Sequence, residues 1–305
     1  MAGPVPHRTR AQKECGPAHA ATGRIANAMT VDVEDYFQVS AFADKVAHSE
    51  WDLYPNRVER NVEAVLQIFA DHGVRATFFT LGWIAKRHPA LVGRIVAGGH
   101  ELASHGFQHV RVHEQTPEEF RGDIRQTKRV LEDISGSSVK GYRAASFSIG
   151  ERTPWAFEIL GEEGYAYSSS IYPIRHDLYG MPEAPRFAFQ PAGAAGLLEI
   201  PISTISVFGR NFPCGGGGYF RLLPYKVSRW AMRRVNRHDR QPCIFYFHPW
   251  EIDPEQPRFQ GISPKTRFRH YTNLRRMEER LHAVLSDFAW GRMDRIFLGE
   301  DAGVR

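Results

Sequence analysis

Residues 28–36 of the chain read AMTVDVEDY, an apolar stretch that ends in three closely spaced carboxylates. Its small and apolar residues are typical of a buried strand, which places the acids at the carboxyl end of that strand. Because ligands of α/β proteins bind at this end of the sheet, the acids indicate a functional site. An acidic cluster that starts a helix would give the same pattern, so the interpretation needs support from the rest of the chain.

Apolar segments alternate with amphipathic segments along the chain. Residues 58–69 have the apolar spacing of a helix, and residues 76–81 read as the next strand. Further helix starts are indicated at Thr116, which is followed by Pro117 and a capping-box glutamate, and at residues 153–155. This alternation predicts an α/β barrel or a doubly wound sheet.

Two histidines four residues apart follow the short apolar segment ELAS at residues 101–104. This spacing would put His105 and His109 on one face of a helical turn, where both imidazoles can reach one metal ion. Zinc in a catalytic site takes about three nitrogen or oxygen ligands from the protein and keeps one position open. An acid from the first stretch, Glu34 or Asp35, would complete the set.

Arg143 and His248 also stand at the ends of apolar segments, GYR at residues 141–143 and IFYFH at residues 244–248. A histidine near a metal site can protonate a leaving group, and an arginine can orient a carboxylate through a bidentate pair. A histidine that caps a strand and an arginine in a structural ion pair are the alternatives. Polar residues at four strand ends indicate one shared site at the mouth of a barrel.

These elements occur in the order found in the NodB-type polysaccharide deacetylases, carbohydrate esterase family 4, which the chain resembles over residues 27–288. The family's acidic, His-x-x-x-His, arginine and late histidine motifs are matched by residues 30–35, 105–109, 143–146 and 247–249. More narrowly, residues 27–39 and RHYTNL at residues 269–274 resemble the deacetylases of exosortase (PEP-CTERM) and exopolysaccharide gene clusters, which carry a DUF3473-like C-terminal region.

The resemblance implies a distorted (β/α) barrel with about seven strands and a metal-dependent hydrolase. Its substrate would be an N-acetylated bacterial polysaccharide or oligosaccharide, and its role would be in exopolysaccharide biosynthesis. Zinc is the expected divalent metal, held by His105, His109 and one acid. Asp32 would take a proton from water, Arg143 would hold Asp32 ionised, and His248 would protonate the departing amine.

The acid that binds the metal is left open by the first motif, in which two carboxylates follow Asp32. Extended geometry puts Asp32 and Glu34 on the same side of the strand and favours Glu34 as the ligand. A turn that begins directly after Val33 would favour Asp35.

Three further positions depart from the family pattern. Gly106 replaces a serine or threonine of the second motif, which removes a hydroxyl without removing a ligand. Ala145 replaces the proline of the third motif, which is expected to loosen the loop after Arg143. Ser168 replaces an aspartate, so any role of that carboxylate is absent here.

Aromatic residues near the motifs are candidates for substrate binding, because such rings either stack on sugars or pack in the core. The candidates are Tyr36, Tyr172, Tyr219 and Trp250. Tyr219 follows the glycine run at residues 215–218, which lacks the ending of a phosphate loop and reads as a flexible lid or as a plain surface loop. A backbone N–H in the turn at Tyr36 and Phe37 is expected to stabilise the oxyanion.

The composition of the 305 residues, 42% of them hydrophobic, fits one enzyme domain. We expect a disordered leader at residues 1–26, the deacetylase domain at residues 27–288 and a tail at residues 289–305. No apolar run reaches the length of a transmembrane segment, and the net charge of +5 gives little indication of nucleic-acid binding. Three unpatterned cysteines favour a reducing compartment, so a cytoplasmic location is expected.

Two other functions are compatible with such a fold. A metal-independent hydrolase of another C–N bond would have lost the histidine pair, which is present here. A glycan-binding protein on the same scaffold would bind sugar without releasing acetate. Such a protein would have no need for the complete set of Asp32, His105, His109, Arg143 and His248.

Overall fold

The computed structural model describes residues 24–176 and 179–299, so residues 1–23 of the expected leader lie outside the described residues. The described strands form one parallel sheet and one antiparallel hairpin. The sheet consists of β1 Ala26–Val33, β2 Thr77–Thr80, β3 Glu101–Ser104, β4 Gly141–Tyr142, β5 Tyr167–Ser168 and β6 Leu198–Glu199, with β9 Ile244–Phe247 and β10 Ala289–Gly291. The hairpin consists of β7 Thr204–Val207 and β8 Arg210–Pro213.

β1 pairs with three other strands of the sheet, and it is buried from Asn27 to its end. Ala28 pairs with both Ile244 of β9 and Gly291 of β10, so these two strands lie on opposite edges of β1. β2 follows β10 along the same edge and pairs with the second half of β1. The path then runs through β3, β4 and β5 to β6, with every pair parallel.

The seven strands from β9 through β1 to β6 curl into a half-barrel, which confirms the predicted distorted (β/α) barrel. The helices are α1 Val58–Asp71, α2 Gly82–Arg87, α3 Pro89–Ala97, α4 Pro117–Ser135, α5 Trp155–Glu162, α6 Gly217–Leu222, α7 Tyr225–Arg234, α8 Pro264–Tyr271 and α9 Met277–Asp287. The described helices are all too short or too polar to cross a bilayer.

Local sequence signals account for the helix that supports the second motif. Thr116 accepts a hydrogen bond from the Glu119 N–H, and the Glu119 side chain accepts one from the Thr116 N–H, which is the predicted capping box of α4. The helix ends at Gly136, whose φ of 64° is readily adopted by glycine. Its buried face includes Phe120 and Ile124.

The C-terminal segment begins with a strand, although a tail was expected from residue 289. Ala289 pairs with Ala26 at the start of β1. The Met293 N–H donates to the Thr77 hydroxyl at 2.8 Å, and the Asp294 N–H donates to the Glu101 carboxylate at 3.1 Å. The boundary expected after residue 288 therefore falls inside the sheet, and residues 300–305 lie outside the described residues.

The glycine run at residues 215–218 packs against β9, so the expected flexible lid is wrong. The Tyr246 N–H donates to the Gly215 carbonyl at 2.8 Å, and Gly216 bridges to Tyr246 in parallel. A Cβ atom on Gly215 would lie 2.1 Å from the carbonyl oxygen of Ile244, whereas one on Gly218 would meet nothing within 4 Å. Glycine is needed at position 215 because two backbone segments approach closely there.

Replacement of these two glycines should therefore have opposite effects on stability. Gly215→Ala is expected to lower the free energy of unfolding by about 1–3 kcal/mol, because the added methyl group displaces β9. Gly218→Ala, at a helical position with open space, is expected to be neutral or to stabilise by up to about 1 kcal/mol. Urea unfolding of the two variants measures the difference, and equal stability would contradict the packing described here.

Candidate active site

The candidate site lies at the carboxyl edge of the half-barrel, where several parallel strands end. Glu34 follows β1, His105 follows β3, Arg143 follows β4 and His248 follows β9, while Asp32 is the second-to-last residue of β1. These five side chains converge, as the distances below show. All are buried except His248, which is partly exposed.

Glu34, His105 and His109 form a group with metal-binding geometry. One ligand atom from each residue lies within 4.8 Å of the others, and all three side chains are buried. Glu34 Oε2 lies 3.0 Å from His109 Nε2 but makes no hydrogen bond to any described group. A buried carboxylate oxygen without a hydrogen bond, beside two imidazoles, fits a divalent cation such as zinc.

The electrostatics of this group favour an ionised Glu34 and a neutral His105. Burial raises the pKa of Glu34, but the charges of His109 and His248 outweigh it and lower the pKa to about 2. Burial lowers the pKa of His105 to about 4, although the charge of Asp32 opposes this effect. A carboxylate and a neutral imidazole are the forms that bind metal.

His105 and His109 are brought together by a loop, although a helical turn was expected. β3 ends at Ser104, Gly106 has a φ of 75° and His109 has a φ of 55°, values that no α-helix contains. Asp123 of α4 accepts the Phe107 N–H at 3.1 Å and thereby fixes the loop. The two imidazole ring centres are 5.2 Å apart.

A hydrogen bond from the ring sets the tautomer of His105. Its Nδ1 lies 2.9 Å from the backbone carbonyl of Arg143, and a carbonyl can only accept. Nδ1 therefore carries the proton, which leaves Nε2 as the nitrogen that can bind a metal. The third motif thus supports the second motif directly.

Asp35 is set apart from the histidines by its hydrogen bonds. Its Oδ2 accepts the N–H groups of Arg57 at 2.6 Å and Val58 at 3.0 Å, which start α1, and its Oδ1 accepts the Tyr36 N–H at 2.8 Å. Burial raises the pKa of Asp35 to about 6, against the opposing effect of these three N–H groups. Of the two acids that the sequence left open, the structure groups Glu34 with the histidines.

Asp32 is paired with the fully buried Arg143. Arg143 Nη1 donates to Asp32 Oδ1 at 2.6 Å and to the Thr30 hydroxyl at 2.8 Å. The other guanidinium donors bind Ser169, whose carbonyl accepts from Nε at 3.2 Å and whose hydroxyl accepts from Nη2 at 3.1 Å. The guanidinium carbon also lies 4.0 Å from the centre of the Phe79 ring. The expected pair of Arg143 and Asp32 is present, but Arg143 contacts the carboxylate through Nη1 and not through two nitrogens.

Hydrogen bonds from β5 support the Arg143 loop. The Ser168 hydroxyl donates to Ser170, whose hydroxyl accepts the Ala144 N–H at 2.9 Å. Glu199 accepts the N–H groups of Ser170 at 2.9 Å and Ile171 at 2.8 Å. These contacts tie the loop to the sheet, whereas the absence of the family's proline predicted a looser loop.

His248 faces two carboxylates. Its Nε2 lies 3.3 Å from Glu34 Oε1, and its Nδ1 lies 2.8 Å from Glu251 Oε1. Burial lowers the pKa of His248, but the charges of Glu34, Glu251 and Asp32 outweigh it and raise the pKa to about 9. Sequence reasoning missed Glu251, whose spacing of three residues after His248 was the available signal.

Three of the four aromatic candidates for substrate binding are enclosed. The Trp250 ring is stacked between His248, with ring centres 5.2 Å apart, and His270, with ring centres 4.2 Å apart. Tyr36 and Tyr172 are fully buried. Rings covered on both faces or sealed in the core cannot stack on a sugar in this arrangement, and substrate binding by these three residues stays a prediction.

The backbone of Tyr36 is also engaged. Its N–H donates to Asp35, so it is not available to an oxyanion in this arrangement.

Tyr219, unlike the other three aromatic candidates, is partly exposed and lines a cavity of about 330 Å³. Tyr179, Tyr246 and Phe268 line the same cavity.

Zinc binding should distinguish the two adjacent acids. Glu34→Gln is expected to weaken zinc binding by more than the roughly 10–100-fold loss that follows changes around a metal's ligands, because a ligand itself is removed. Asp35→Asn is expected to keep zinc affinity and to lower the free energy of unfolding by about 1 kcal/mol, through the weakened start of α1. Titration calorimetry and urea unfolding measure both effects. Equal loss of zinc affinity in the two variants would contradict the assignment.

Two family models match consecutive parts of the chain. A model described as polysaccharide deacetylase matches residues 40–165, which include His105, His109 and Arg143. A model described as a domain of unknown function (DUF3473) matches residues 169–298, which include His248.

Two relatives match shorter stretches. A peptidoglycan-N-acetylglucosamine deacetylase of Bacillus cereus is 33% identical over 95 residues, which are 31% of this chain and 34% of the relative. A chitooligosaccharide deacetylase of Bradyrhizobium sp. is 26% identical over 108 residues, which are 35% of this chain and 47% of the relative. The matched stretches thus span less than half the length of either relative.

A solved structure extends the likeness to the whole fold. The crystal structure of a candidate polysaccharide deacetylase from Mycobacterium smegmatis superposes with a TM-score of 0.60 at 21% identity and covers 93% of each chain. At this identity the likeness shows a shared fold. The two family models show that the chain carries a polysaccharide deacetylase domain, followed on its C-terminal side by the DUF3473 region.

Proposed function

We propose that the protein is a metal-dependent hydrolase that removes N-acetyl groups from the amino sugars of a bacterial polysaccharide. The observation that carries the proposal is the buried group of Glu34, His105 and His109. The acid candidate His248 lies 3.3 Å from Glu34, measured from Nε2 to Oε1, and the base candidate Asp32 lies two residues before Glu34.

In this proposal Glu34, His105 and His109 hold the divalent metal, with zinc as the expected ion. When bound, such an ion polarises the acetyl carbonyl and lowers the pKa of a water molecule. Asp32 accepts the proton of the attacking water, and Arg143 Nη1, which donates to Asp32 Oδ1 at 2.6 Å, holds this carboxylate in place.

His248 supplies the proton for the leaving amine. Its Nε2 lies beside Glu34, one of the proposed metal ligands, while its Nδ1 is held by Glu251. The adjacent carboxylate of Glu251 raises the pKa of His248 and so favours the protonated imidazole that a proton donor requires. The products would be acetate and a free amino sugar.

The substrate class rests on the named relatives. The named relatives are deacetylases of peptidoglycan N-acetylglucosamine and of chitooligosaccharides, which supports an N-acetylated amino sugar. Tyr219 is the remaining aromatic candidate for stacking on such a sugar. The role in exopolysaccharide biosynthesis follows from the sequence resemblance.

A cytoplasmic location is part of the same proposal. Cys214 and Cys243, the cysteines within the described residues, are unpaired and buried. Unpaired thiols agree with a reducing compartment.

Acetate release from N-acetylglucosamine oligomers tests the proposal. Zinc-loaded protein is expected to release acetate, metal-free protein is not, and zinc should restore the activity. Asp32→Asn is expected to lower kcat by about 10²–10⁴-fold while zinc still binds, because the proton acceptor is lost and the ligands remain.

Two outcomes would contradict the proposal. Acetate release that is unaffected by metal removal would exclude the metal centre from the reaction. Tight binding of the oligomers without acetate release, in zinc-loaded protein, would favour a glycan-binding protein.

A further inference from the structure

Glu251 is fully buried, and both of its carboxylate oxygens are used. Oε1 accepts the backbone N–H of His248 at 3.0 Å and lies 2.8 Å from His248 Nδ1. Because a carboxylate can only accept, Nδ1 is the donor in this contact. Oε2 accepts Arg221 Nε at 2.5 Å. The carboxylate therefore joins the proposed proton donor to a buried arginine.

Arg221 is itself held in place by backbone carbonyls near the end of α8. Its Nη1 donates to the carbonyls of His270 at 3.0 Å and Thr272 at 2.6 Å, and its Nη2 donates to the carbonyl of Arg269 at 3.1 Å. Three backbone acceptors and one carboxylate fix the guanidinium plane. Arg221 thus has one orientation in which to present Nε to Glu251.

The helix that carries Arg221 can approach Glu251 only because Gly217 has no side chain. A Cβ atom at this position would lie 2.2 Å from Glu251 Oε1. Gly217 is the first residue of α6, and Arg221 lies one turn later on the same helix. Gly217 of the glycine run thus permits the contact between Arg221 and Glu251.

A face of the His248 ring is also covered, by the side chain of Trp250. Trp250 stacks on it with an angle of 17° between the ring planes, and Trp250 Nε1 donates to Glu34 Oε1 at 3.4 Å. His270 stacks on the far face of Trp250, at an interplanar angle of 13°. The orientation of His248 therefore depends on residues of the C-terminal region.

We propose that Glu251 is a positioning residue that holds the proton of His248 on Nδ1 and points Nε2 at the reacting group, and that Arg221 keeps Glu251 in place. This inference rests on the proposed deacetylase function. It gives the region of unknown function at residues 169–298 a role, because Arg221, His248, Glu251 and His270 all belong to it.

Steady-state kinetics of Glu251→Gln test the role in catalysis. The variant keeps the size of the side chain and removes the charge that orients His248, so kcat for deacetylation is expected to fall by about 10²-fold with little change in KM. Glu255→Gln is the matched control, because Glu255 lies four residues away and its side chain is 71% exposed. The control is expected to keep the wild-type kcat.

Double substitution separates positioning from a merely structural role. In a His248→Ala background, Glu251→Gln should cause no further loss of kcat, because its effect passes through His248. A second loss of similar size would overturn the proposal. Removing one partner of a buried ion pair destabilises a protein, so Glu251→Gln combined with Arg221→Gln provides a variant without an uncompensated charge. It is expected to show the same loss of kcat.

A spectroscopic measurement tests the positioning without relying on activity. In protein with ¹⁵N-labelled histidine, the Nδ1 proton of His248, assigned with His248→Ala, is expected to be protected from exchange and to lose this protection in Glu251→Ala. An Nδ1 proton unchanged in Glu251→Ala would overturn the proposal. If the wild type releases no acetate, the proposed function fails, and this spectrum still decides the role of Glu251.

Discussion

Compensation of buried charge at the carboxyl ends of the parallel strands is the constraint on which the rest of the structure depends. Asp32 and Glu34 are each about 2% exposed, and an unpartnered carboxylate at such a depth is strongly unfavourable. Arg143, from another strand end, compensates Asp32, and His105 and His109, from a third, flank Glu34. The register of the sheet must therefore be correct before these charges are satisfied.

The regions that the two family models match contribute strands to one and the same sheet. β9 and β10 belong to the region of unknown function, yet both pair with β1, which precedes both matched regions. This arrangement explains how one site draws the proposed metal ligands from the first part of the chain and the proposed proton donor from the second. The C-terminal region also supplies the buried pair of Arg221 and Glu251 that holds the proton donor. The deacetylase domain and this region thus form one catalytic unit in our account.

Local patterns predicted much of the fold, whereas long-range packing decided what the sequence could not show. The apolar spacing of β1 and the capping box of α4 act within a few residues, so the alternating architecture and the strand-end site could be predicted. The choice of Glu34 over Asp35 depended on where α1 begins, more than twenty residues later. The enclosure of Trp250 between two histidines and the pairing of Glu251 with an arginine 30 residues away depend on tertiary packing, which leaves no periodic signal.

The most direct test of the central claim is anomalous diffraction at the zinc edge from crystals of the zinc-loaded wild-type protein. Our account predicts one strong peak per chain in contact with Glu34, His105 and His109, beside the pair of Asp32 and Arg143. A peak bound by Asp35 instead, or no peak at this site in protein that releases acetate, would contradict it.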